Sequence, residues 1–142
     1  MSRKSSSRSQ APVARRSAQD CWQQGRVLSK AGRWHDALQF FEQALAQAPE
    51  DDVYLINAAH ACFHLQRMED VVRYASLVID RNPKDSLAFV LKAKALNRLQ
   101  RHAENLTFLR NWSQELQATH DYWFHLGLAH HGMQQHREAV NA

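Results

Sequence analysis

Glycine and proline are scarce in this 142-residue chain, at 4 and 3. Ala, Leu, Gln, Arg and His dominate instead, a composition that favours helix over sheet. No run of 18 apolar residues exists, so no segment reads as a membrane span. The first seventeen residues, MSRKSSSRSQAPVARRS, lack the apolar core of a secretory signal. Only two thiols are present, Cys21 and Cys62, which points to a reducing, cytoplasmic setting. Acidic residues are missing before Asp20, whereas Arg3, Lys4, Arg8, Arg15 and Arg16 all precede it. The net charge of +4 therefore belongs to the tail. Residues 1–17 have little to bury, and their composition predicts a disordered basic tail. Such a tail suits acidic partners, nucleic acid or lipid headgroups, although a solubilising leader is the simpler reading. Pro12 interrupts any amphipathic presequence helix.

Catalytic signatures are absent as well. The chain has no Gly-rich phosphate loop, no G-x-S-x-G elbow and no C-x-x-C pair. HLGLAHHGMQQH, residues 125–136, is rich in histidine but contains no His-Glu-x-x-His. No enzyme activity and no cofactor are expected. One stretch does invite a metal: His60-Ala61-Cys62-Phe63-His64 places two imidazoles four residues apart, on one face of a helix.

What the chain has in abundance is an internal period of 34. Pro49 and Pro83 each close a helical run and are followed by candidate helix caps, Asp51/Asp52 and Asp85/Ser86. Gly25, Ala59, Ala93 and Gly127 form a column of small residues. Ala37, Val71, Asn105 and Ala139 form another, and Trp34, Met68, His102 and His136 precede each second helix. The units run over about 18–51, 52–85, 86–119 and an incomplete 120–142. Leu38, Phe41 and Leu45 make one apolar face at helical spacing, and Leu55, Ala58, Ala59 and Cys62 another.

On these columns residues 18–142 resemble a tetratricopeptide repeat (TPR) protein. The first unit matches best, with Gly25, Ala37, Phe41, Ala44 and Pro49 in register. The third is degenerate, with Asn105 and Trp112 replacing small residues. The resemblance implies an all-α fold, a right-handed superhelical array of helix-turn-helix hairpins numbering about three and a half. It places Trp34 as a wedge within its own hairpin, His130 as a packed histidine and Cys62 toward the core, away from His60 and His64. It also predicts that the chain stops partway through a second helix in the fourth unit, leaving Ala139 and Val140 uncovered.

The resemblance further implies a concave groove lined by the first helix of each hairpin. Its columns here are apolar (Trp22, Ile56, Val90 and Phe124, flanked by Val53 and Leu87) and basic or basic-capable (Arg26, His60 and Lys94; Lys30, His64 and Arg98). Asn57, with Gln23 and His125 in the same column, is placed to bond a ligand backbone. The chaperone-binding clamp known in the family is not matched. At its positions stand Trp22, Arg26, Asn57, Leu87 and Leu91, and only Asn57 agrees.

The expected function is a non-enzymatic interaction module that binds a protein or peptide segment bearing apolar and acidic groups. No specific nucleic acid is expected. Two alternatives stand beside it. One is the N-terminal array of a larger bacterial enzyme such as a glycosyltransferase, with a downstream domain of the same protein. The other is a chaperone similar to those of type III secretion translocators.

Overall fold

The computed structural model describes residues 16–115 and 120–141. Among the described residues the chain forms seven α-helices and no strand. They are α1 (Ala18–Lys30), α2 (Trp34–Gln47), α3 (Asp52–His64), α4 (Met68–Arg81), α5 (Ser86–Arg98), α6 (His102–Glu115) and α7 (His120–Asn141). Each helix packs on its neighbours in sequence, which makes an array of hairpins. The expected tail, residues 1–17, lies outside the described residues except for Arg16 and Ser17.

Local chemistry repeats with the sequence. The side chains of Ser17, Asp51 and Asp85 accept hydrogen bonds from the backbone N–H of Asp20, Tyr54 and Ala88, at 3.1, 3.1 and 3.0 Å. Each starts the first helix of a hairpin by satisfying an orphan donor. Gly32, Gln66 and Gln100 then turn the chain with φ of 77°, 64° and 59°. The next residue in each case is arginine. Its N–H bonds back to Leu28, Cys62 or Leu96, and its guanidinium pairs with Asp36, Asp70 or Glu104 on the first turn of the second helix. Sequence reasoning passed over these arginines, although Arg33, Arg67 and Arg101 also recur every 34 residues.

The small-residue column works by close approach. A Cβ at Gly25 would lie 2.5 Å from the Phe41 ring, so only glycine lets that ring pack where it does. Phe41 is buried, and its burial contributes roughly 2–3 kcal/mol. Leu38, Leu45, Leu55, Ala58, Ala59 and Cys62 join it in a core that extends to α5. A second cluster, with Phe89, Leu109, Trp112 and Tyr122, ties α5, α6 and α7 together.

Three expectations need correction. Trp34 is not confined to its own hairpin: it reaches across to α3, where its indole stacks on His64. The fourth unit does not turn. Gln134 stands in the column of Gly32, Gln66 and Gln100, yet α7 runs straight through it. With no second helix folded back, Gly127 has nothing within 4 Å of a would-be Cβ, and His130 is exposed rather than packed. Ala139 and Val140 are exposed, as expected, but on a continuous helix.

Candidate functional site

The first helices α1, α3 and α5, continued by the first half of α7, carry the groove columns. Trp22 is half-buried, with its ring 6.1 Å from Tyr54 and the Arg26 guanidinium 4.9 Å above it. Arg26 and Lys30 are exposed. Ile56 and Val90 are half-buried and pack against the two core clusters, so only part of each is available to a ligand. Val53, Leu87 and Phe124 are exposed by more than half. Asn57 is half-buried and donates to the Val53 carbonyl of its own helix at 2.7 Å. Gln23 is exposed, whereas His125 is buried and lies on the wall of the hollow beside Phe124.

His60 and His64 are both exposed, while Cys62 between them is buried. Helical geometry turns the thiol into the core, and burial pushes its pKa up to about 12. The imidazoles instead meet Trp34. Its ring stacks on His64 at 3.9 Å and meets His60 edge-on at 5.4 Å, and the two imidazoles are 4.8 Å apart. Desolvation lowers the pKa of His60, and the neighbouring His64 and Lys94 lower it further.

Across the second, third and fourth units the columns converge. Lys94 Nζ lies 5.9 Å and the Arg98 guanidinium 4.9 Å from the centre of the Phe63 ring. Arg98 also donates to Gln66 Oε1 at 3.2 Å. Phe63, Lys94, Asn97, Arg98, Phe124 and Leu128 border a hollow of about 250 Å³. Phe63 and Asn97 were missed in the sequence. Their signal was available, since they are 34 apart and each precedes a basic-column residue.

Arg33, Arg67, Arg73, Arg81 and Arg101 are all ion-paired. Among the described residues no ion pair involves Arg26, Lys30, Lys94 or Arg98. Arg26, Lys94 and Arg98 rest on aromatic faces instead, which holds them in place while leaving their charge uncompensated.

The tetratricopeptide repeat family model matches residues 28–104, more than half of the chain. The chain belongs to the TPR family. No curated protein matches it. Solved TPR structures do. The Sgt2 TPR domain from Aspergillus fumigatus superposes with a TM-score of 0.72 at 17% identity, over 85% of this chain and 82% of that one. The first TPR of Spaghetti (RPAP3), bound to the HSP90 peptide SRMEEVD, gives 0.73 at 17% identity, over 82% and 93%. MamA 41-end from Desulfovibrio magneticus RS-1 gives 0.74 at 18% identity, over 87% and 70%. At these identities the likeness is one of fold. No helix among the described residues of this TPR protein is long and apolar enough to cross a membrane.

Proposed function

We propose that this TPR protein is a non-enzymatic interaction module whose groove captures a partner segment carrying acidic side chains beside apolar ones. The observation that carries the reading is the set of groove cations held over aromatic rings with no acidic partner, Lys94 and Arg98 above Phe63 foremost. A ligand carboxylate supplies the missing charge, and the hollow beside exposed Phe124 receives an apolar side chain. Trp22 and Arg26 repeat the pairing at the other end of the row.

Among the structural neighbours, the first TPR of Spaghetti (RPAP3) is bound to the HSP90 peptide SRMEEVD and the second TPR domain of human RPAP3 is in complex with the HSP70 peptide SGPTIEEVD. Leu87 and Leu91 occupy clamp positions that are basic in the chaperone-binding subclass, so an internal acidic-apolar segment fits better than a chaperone tail. The buried thiols Cys21 and Cys62 suit a cytoplasmic setting.

The test is a charge reversal on two helices. Arg26→Glu combined with Lys94→Glu removes two groove cations without touching the core. A fluorescein-labelled peptide alternating Glu with Leu and Phe is titrated against the wild type and the double variant by fluorescence anisotropy. Affinity should fall at least about tenfold, and the wild-type affinity should weaken as salt rises. Unchanged affinity in the double variant sinks the reading.

A further inference from the structure

We propose that the hollow between α3, α5 and α7 takes a phosphotyrosine side chain from the partner segment. This rests on the groove reading and narrows it: one side chain supplies both the ring and the charge.

The hollow lies where the columns change character. Arg26, His60 and Lys94 are followed in register by Leu128, and Lys30, His64 and Arg98 by Gly132. Its α5 side is therefore cationic and its α7 side apolar, with Leu128 half-buried and Phe124 56% exposed. The space between them is about 250 Å³, and no acidic side chain lines it among the described residues. An aromatic ring suits the α7 side, where it meets the open Phe124 ring and Leu128.

The charge on the α5 side decides the anion. Lys94 and Arg98 are one helical turn apart, at 5.9 and 4.9 Å from the centre of the Phe63 ring. Like charges at that spacing repel, and neither has an ion pair among the described residues. A glutamate neutralises only one of them. A phosphate monoester brings a charge of about −1.5 to −2 at neutral pH and three acceptor oxygens. Arg98 gives one N–H to Gln66 Oε1 and keeps others for phosphate. Half-buried Asn97 on the same wall adds an amide. Phosphoserine matches the charge but leaves Phe124 and Leu128 uncovered. In phosphotyrosine the ring holds the phosphate at a fixed distance, so ordering a single side chain fills both halves.

The experiment uses the full chain and fluorescence anisotropy. The probe is fluorescein-Gly-Gly-phosphotyrosine-Gly-Gly-amide, and the controls carry tyrosine or phosphoserine at the centre. The phosphotyrosine peptide should bind about tenfold more tightly than either control. Arg98→Gln and Phe124→Ala, both at exposed positions, should each weaken it about tenfold, with unchanged circular dichroism. Arg98→Gln should leave the weaker binding of the tyrosine peptide as it was. Equal binding of the tyrosine peptide overturns the phosphate, and equal binding of the phosphoserine peptide overturns the ring. Phosphotyrosine affinity that survives either variant overturns the site. The peptide alternating Glu with Leu and Phe separates this assignment from the groove reading. If that peptide binds and the phosphotyrosine peptide does not, only the phosphotyrosine assignment falls; if neither binds, both fall.

Discussion

The indole of Trp34 lies flat on the imidazole of His64, with centroids 3.9 Å apart and planes 1° from parallel. The first residue of one second helix thus grips the last residue of the next hairpin's first helix. The same two columns meet again at His102 and Gly132, where a Cβ would lie 2.3 Å from the imidazole ring. This contact joins hairpins and does not brace the turn within one. Trp34→Ala should destabilise the chain by about 2 kcal/mol, below the 3–5 kcal/mol typical of fully buried Trp, because the indole is half-buried. A double-mutant cycle with His64→Ala, measured by urea denaturation, should return a coupling of about 1 kcal/mol. Additive single variants would show that the stacking carries no energy.

Two glycines in one column should respond in opposite ways. Gly25→Ala drives a methyl into the buried Phe41 ring and should lower stability by about 1–3 kcal/mol. Gly127→Ala meets nothing within 4 Å and should raise stability by about 0.5–1 kcal/mol through helix propensity alone. Midpoints of chemical denaturation decide both. A stabilised Gly25→Ala would contradict the packing at the first hairpin.

Asn105 stands where Ala37 and Val71 stand in the preceding units, and it is fully buried. Its Nδ2 donates to the Ala93 carbonyl at 3.2 Å, while Oδ1 has no hydrogen-bond partner among the described residues. Desolvating that oxygen opposes the gain from the bond. Asn105→Val, the residue of the second unit, should therefore be stabilising by about 1 kcal/mol. Scanning calorimetry reads the change, and a lower melting temperature would show that the amide is better satisfied than this geometry implies.

The first three hairpins were legible in the sequence because each rests on signals local to one unit. Asp51 and Asp85 cap, Pro49 and Pro83 close, and Gly25, Ala59 and Ala93 allow close approach. The fourth unit kept its columns and still departed. A left-handed residue costs about 1–2 kcal/mol. In the earlier hairpins a full second helix docks against the first and holds that turn. At Gln134 the backbone stays helical and α7 continues to Asn141. Trp34 was misplaced for a different reason. Its column says that a bulky residue opens the second helix, but which hairpin it faces depends on the stacking of units, and no local pattern encodes that. The basic and apolar columns were legible as positions on the first helices. Phe63, the ring that gathers Lys94 and Arg98, was passed over although it recurs in register, because its column mate is the polar Asn97 and the repeat there is one of position and not of apolar character.

His60 gives the pH dependence a definite sign. Desolvation, then His64 on its own helix and Lys94 on α5, lower its pKa from the ordinary 6.5, and Trp34 of α2 packs against its edge. In the free protein the unfolded chain therefore binds a proton more readily than the folded one. That stability is present above pH 6.5 and is lost as pH falls through the lowered folded pKa. A bound acidic segment works in the opposite direction. Its carboxylates oppose the repulsion from Lys94 and raise the pKa of His60, so binding takes up a proton and affinity rises as pH falls below about 6.5. The free protein should thus become less stable over the same range in which it binds more tightly. His60→Gln, which cannot charge, should flatten the contribution of this residue to both trends. Melting temperatures and peptide affinities of wild type and variant between pH 8 and 5 make the comparison. Parallel curves for the two proteins would return His60 to the ordinary surface.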